Sequence, residues 1–177
     1  MNLNDFIEFN PATGTKEEIP KAPGNYLVTI RDIKALPTLG FELVTQQYKG
    51  LELIYTGISK TDLYKRIWKS HIYGTAGRST LRRTLGSLFG YTPIPRDKNN
   101  PVNRKIRFND ADEEALTAWI RENLVFHILR NVAPVEMEKE LIRSLNPPLN
   151  LDENDNPVNQ EFRSTLSKCR SRKPSSK

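Results

Sequence analysis

Five side chains in this sequence carry groups suited to moving a proton, holding an anion or binding a cation: Tyr26, Tyr55, Arg66, His71 and Glu138. Glu138 is the most informative. Pro134 opens a helix that Pro147-Pro148 cannot continue, and on it Met137, Leu141, Ile142 and Leu145 form an inward stripe. Glu138 stands one turn before Leu141 and Ile142, so its carboxylate points along the buried face, whereas Glu136 and Glu140 point to solvent. A carboxylate in that position is costly unless it is paired, hydrogen-bonded or bound to a cation. Two readings follow, an internal ion pair with an arginine or an oxygen ligand for Mg²⁺. Alternation sets Tyr26 with Val28 and Ile30, and Tyr55 with Leu53 and Leu51, so each phenol lies on an apolar strand face, where ordinary core packing is the plain alternative. Arg66 either pairs with Asp62 across one helical turn or clamps an anion. His71 shares a helical face with Leu63 and Ile67, which suits an interior histidine or a proton donor and acceptor.

These residues need a scaffold, and its elements are legible in outline. Strands are expected at Tyr26–Ile30, at Leu51–Thr56 before Gly57, and at Leu124–Leu129, with an edge strand within Phe41–Tyr48. A helix follows Thr61, a second begins near Ser79-Thr80 with Leu81, Leu85 and Leu88 as its stripe, and a third has Asn109 or Asp110 as its N-cap. The last spans Pro134 to about Leu145. Residues 1–21 read as an irregular arm, 22–152 as the folded domain, and 153–177 as a basic tail too polar to order itself.

The chain has 177 residues with one cysteine and two histidines, which excludes a disulfide scaffold, a cysteine zinc cluster and a multi-histidine metal cage. No apolar run nears the ~18 residues of a membrane span, and the first residues lack a signal layout. A soluble, cytoplasmic protein is expected. The net charge of +6 is unevenly spread. Residues 60–107 hold twelve Lys/Arg against two Asp, residues 108–162 hold four against twelve acids, and residues 163–177 hold six basic residues and no acid. Such segregation suits a protein that meets a polyanion with one side, or simply a solvated charged face.

Gly24-Asn25-Tyr26 opening one strand, Tyr55-Thr56-Gly57 in the next, Arg66 on the following helix, and Glu138 with Pro147 and Asn150 behind it together resemble the GIY-YIG nuclease family over about residues 22–151. The resemblance implies an α+β fold, with a small central antiparallel sheet of about three strands flanked by helices and a divalent metal on Glu138. It further implies phosphodiester hydrolysis, in which Tyr26 or Tyr55, its pKa brought down by nearby cations, activates water. Arg66 would clamp the phosphate, Mg²⁺ or Mn²⁺ would stabilise the leaving 3′-oxygen, and His71 would carry a proton beside the phosphate. Ile58 stands where many members carry lysine, and Lys60 is the nearest cation.

Duplex DNA is the expected partner. Lys65, Lys69, Arg78, Arg82 and Arg83, with Ser79 or Thr80 at a helix start, would meet backbone phosphates, and Lys60 and Asn150 complete the set of expected contacts. Arg96, Lys98, Asn99, Asn100, Asn103, Arg104 and Lys105 in the loop 91–107 suit base edges. The reading is therefore a metal-dependent DNA endonuclease, with a non-catalytic nucleic-acid-binding module on the same fold as the alternative.

Overall fold

The computed structural model of the protein describes residues 3–97 and 105–172. Lys98, Asn99, Asn100, Asn103 and Arg104, named above as contacts, and the tail charges Lys173 and Lys177 lie outside the described residues. The strands run in chain order β1 (Ile7–Phe9), β2 (Gly24–Ile30), β3 (Gln46–Tyr48), β4 (Leu51–Ser59), β5 (Ile94–Pro95), β6 (Ile106–Arg107) and β7 (Leu124–Arg130). The helices are a π-helix at Lys65–Ile72, then α1 (Thr80–Leu88), α2 (Asp110–Asn123), α3 (Pro134–Leu145) and α4 (Gln160–Arg170).

The fold is α+β, as expected, but its antiparallel sheet has five strands in the order β1-β7-β2-β4-β3 rather than three. The three expected strands are its centre. The extra edge comes from the arm: Phe6 and Phe9 are 1% and 2% exposed, and Ile7–Phe9 pairs antiparallel with Phe126–Ile128. Two buried aromatic side chains within four residues supply the apolar area that orders this segment. β5 and β6 make a separate two-stranded hairpin at the mouth of the 91–107 loop.

The tail expectation is also corrected. Gln160–Arg170 is helical and packs on α1, with Phe162 and Leu166 at 1% and 0% exposure and Arg163 bonded to Asn146 Oδ1 at 3.1 Å. Phe162 and Leu166 are one helical turn apart, and that pair is enough to bury one face of a polar helix.

Register in the sheet has one irregularity that matters. Val28 pairs with Tyr55 but Thr29 pairs with Leu53, so β4 carries an extra residue at Ile54. A bulge resets the alternation beyond it. Tyr55 consequently joins Tyr26, Val28 and Ile30 in the large core under the π-helix, α1, α2 and α4, while Leu53 joins Leu27, Leu141 and Leu145 on the other face. The expectation of Tyr55 sharing a face with Leu53 fails for this reason.

His127 is fully buried on β7, with Nε2 3.0 Å from Thr29 Oγ1 and its ring 4.7 Å from that of Tyr48. Burial first, and the Lys49 charge second, lowers its pKa from 6.5 to about 4. The unfolded chain takes up this proton as pH falls through about 6.5, while the fold refuses it down to about pH 4. Stability present above that window is lost as pH falls through it, at about 1.4 kcal/mol per pH unit for each such histidine. Thermal melts from pH 7 to pH 4.5 check this: the midpoint is expected to fall with acid, and His127→Leu to flatten the decline by one proton's share.

Candidate active site

β2 opens with Gly24-Asn25-Tyr26, and the register places Tyr26 directly opposite Gly57 on β4. A Cβ on Gly57 would overlap the Tyr26 hydroxyl and sit 2.7 Å from its Cζ. The glycine is therefore the space that the phenol occupies. A Cβ on Gly24 would likewise strike the Leu129 carbonyl, so this position keeps β2 close against β7. The Tyr26 and Tyr55 rings lie 6.4 Å apart on the same sheet face.

The helix that follows is wound as a π-helix, with the Tyr73 amide donating to the Trp68 carbonyl five residues back at 3.0 Å. At 3.6 residues per turn, positions five apart such as Arg66 and His71 point about 140° away from each other. The wider winding turns both toward the sheet. Arg66 Nε donates to Tyr26 Oη at 3.3 Å, and His71 Nε2 is 2.6 Å from the same oxygen. His71 Nδ1 is in turn 2.6 Å from Ser79 Oγ, the N-cap of α1, which accepts from the Arg82 amide at 3.0 Å. Asp62 does not pair with Arg66. It binds Lys65 instead, at 3.8 Å.

Burial dominates the electrostatics. It raises the pKa of both Tyr26 and Tyr55, although the Arg66 guanidinium pulls both down. Burial outweighs the cations, so the expected lowering of a phenol's pKa is reversed. His71 is pushed well below its usual value by burial and then by Arg66 and Arg82, so its ring is neutral at pH 7.

Glu138 completes the arrangement. It lines a cavity of about 240 Å³ together with Tyr55, Arg66, Thr80, Asn150 and Arg170. No described residue donates a hydrogen bond to its carboxylate or forms an ion pair with it. Burial first and Glu153 second raise its pKa, against Arg66 and Lys60. Among the described residues no group of three or more His, Cys, Asp and Glu could hold a metal alone. A lone carboxylate still fits Mg²⁺ or Mn²⁺, because such ions keep several waters and take further oxygens from substrate phosphate.

A family model described as the GIY-YIG catalytic domain matches residues 24–172. The chain belongs to the GIY-YIG family. A nuclease-type function comes with that membership. No curated protein and no solved structure matches the chain.

The unusual middle residues of this GIY-YIG domain's two tripeptides have positional work. Asn25 is fully buried; its amide donates to the Pro134 carbonyl at 2.8 Å and its oxygen accepts from Asn131 at 2.9 Å. It thus ties β2 to the first turn of α3, the helix that carries Glu138. Thr56 donates to the Tyr26 carbonyl at 3.1 Å, fixing β4 to β2 behind the phenols.

The expected DNA contacts divide. Lys60, Lys65, Lys69 and Arg78 are exposed, and Thr80 borders the cavity at the start of α1. Three others are corrected. Arg82 is 0% exposed, pairs with Glu113 at 2.8 Å, and spends its remaining donors on the carbonyls of His71 and Ile72 and on Thr117, leaving none for a phosphate. Ser79 is committed to His71 and the Arg82 amide. Asn150 is 7% exposed and grips both backbone groups of Thr56, at 2.9 and 3.0 Å. Arg83 is half-buried and donates to the Arg170 carbonyl at 2.9 Å. Sequence reasoning missed Glu113, Asn25 and Arg170. Only the i,i+4 spacing of Phe162 and Leu166 could have pointed to the last, by revealing the helix that bears it.

Proposed function

We propose that this GIY-YIG domain is a Mg²⁺- or Mn²⁺-dependent endonuclease that hydrolyses phosphodiester bonds of duplex DNA in the cytoplasm. The observation that carries the proposal is the hydrogen-bonded run Ser79–His71–Tyr26–Arg66, set behind a cavity that also holds Glu138, whose carboxylate has no partner among the described residues. At a phosphate, a run of this kind is suited to take a proton from the attacking water and to keep the anion in line.

Tyr26 is the proton acceptor of choice, because its oxygen lies 2.6 Å from the neutral Nε2 of His71, a direct exit for its own proton. In the tautomer with Nε2 bare, Tyr26 passes its own proton to the imidazole as it receives the one from water, so no free phenolate need persist. Burial opposes both halves of this transfer, since it raises Tyr26 and lowers His71. A bound phosphate supplies the negative charge that an imidazolium needs, and the step therefore waits for substrate. Tyr55, at the cavity wall, orients the water. Arg66 holds a non-bridging oxygen through the N–H groups it does not spend on Tyr26 and on the Arg78 carbonyl. Mg²⁺ or Mn²⁺ on Glu138 would take charge from the phosphate and stabilise the departing 3′-oxygen.

Supercoiled plasmid tests this directly. Conversion to nicked or linear forms is expected with Mg²⁺ or Mn²⁺ and not with EDTA, and Tyr26→Phe is expected to slow it about a hundredfold, more than Tyr55→Phe. Gel retardation without cutting in any metal would leave only a DNA-binding module.

A further inference from the structure

The wall of the same cavity contains a cation that no step above uses. Arg170 ends α4 and borders the cavity, whose wall also carries Glu138, Asp152 and Glu153; none of the described carboxylates forms an ion pair with its guanidinium within 4 Å, and Asp152 acts on it only from further away. Its side chain donates no hydrogen bond to a described residue, and its Nε is wholly buried and unpartnered. Arg66, by contrast, is held by Tyr26 and the Arg78 carbonyl.

Arg83 stands beside Arg170 and repeats the pattern. One Nη of Arg83 donates to the Arg170 carbonyl at 2.9 Å, which fixes the end of α4, while its own Nε is buried without a partner. Two guanidiniums of like charge are therefore held together, half out of water, with no ion-pair partner within 4 Å among the described residues and only the more distant Asp152 to offset their charge. Unpaired charge in such a place is costly, and it persists where a partner arrives from outside. The partner must be an anion with several oxygens, since planar guanidinium donors match that geometry. Thr80, at the start of α1, borders the same cavity.

We propose that Arg170, braced by Arg83, binds a backbone phosphate of the DNA strand lying in the cavity, next to the one held by Arg66. This rests on the nuclease reading, which supplies the strand. Arg170 is a positioning residue: it sets where the strand lies, and Arg66, Tyr26 and Glu138 act on the bond.

The experiment measures binding of a short blunt duplex without terminal phosphates to the full chain, by fluorescence anisotropy over a range of NaCl concentrations with Ca²⁺ present. Each lost phosphate contact lowers the slope of log K against log[salt] by about 0.9. Arg170→Gln is expected to weaken binding about tenfold at ~100 mM salt and to lower the slope by about one contact. Arg170→Lys is expected to restore the slope, with melting temperatures alike in all three proteins. Wild-type affinity and slope in Arg170→Gln would overturn the site, and so would equal losses in both variants accompanied by lowered melting temperatures. A parallel plasmid digestion separates the two claims. Cutting with a salt slope independent of Arg170 removes the site and keeps the nuclease; an Arg170-dependent slope with no cutting in any metal keeps the phosphate site and removes the nuclease.

Discussion

Glu138→Gln is expected to reduce cleavage about a hundred- to a thousandfold while leaving the melting temperature unchanged or slightly raised. The two halves of this result have one cause. The carboxylate is half-buried, lacks a partner among the described residues, and is pushed up by burial and then by Glu153. A carboxyl whose folded pKa is raised contributes stability below its unfolded pKa and loses it as pH rises through the folded value. At pH 7 the charged form is therefore a cost to the fold. Glutamine keeps the shape and removes that cost. It also removes the oxygen charge that would hold a divalent ion, and several kcal/mol of transition-state stabilisation at about 1.4 kcal/mol per tenfold gives the stated loss. Plasmid cutting rates and thermal melts on the same preparations check both parts. A variant that cuts at the wild-type rate would remove the metal from Glu138, and one that melts many degrees lower would make the residue structural.

Arg82→Ala is expected to cost about 3–5 kcal/mol of stability, read as a lowered midpoint in urea denaturation. The guanidinium is fully buried and pairs with Glu113, 8% exposed, at 2.8 Å; its Nε donates to the same carboxylate at 3.1 Å. Glu113 also accepts from the amides of Ala76 and Phe108, at 2.8 and 3.1 Å. Removing the arginine leaves that carboxylate buried beside amides alone, and frees the carbonyls of His71 and Ile72 at the end of the π-helix. Unsatisfied groups of this kind add their own penalty. Because His71 depends on that helix end, cleavage should fall further than the unfolded fraction explains. The double variant Arg82→Met with Glu113→Leu is expected to recover part of the stability, since it leaves no lone buried charge, and little of the cleavage.

The contrast between Glu138 and Arg82 marks how far the sequence could be read. Glu138 was legible because its neighbours on α3 alternate with the helical period, so the one acid on the apolar stripe stands out. Arg82 sits in a run of basic residues that looks like a phosphate-binding surface, and nothing in the run distinguishes the buried guanidinium from Arg78 and Arg83. Its partner Glu113 is thirty-one positions away, among the acidic residues that open α2. Burial of a charge is decided by what packs over it, and that is a property of the assembled chain. The bulge at Ile54 is similar: strand propensity places β4, yet only the pairing with β2 reveals that Tyr55 has changed face.

From the residues alone came the element types, the three central strands, the segregation of charge and the five groups suited to a phosphate chemistry, because each rests on local period or on side-chain chemistry. The tertiary structure decided the rest. It wound residues 65–72 as a π-helix so that Arg66 and His71 meet one phenolic oxygen, drew the first and last segments into the core, and hid Arg82 while leaving Arg170 uncommitted at the cavity wall. Convergence of groups distant in the chain depends on packing free energy summed over many neighbours, and no window of sequence contains that sum.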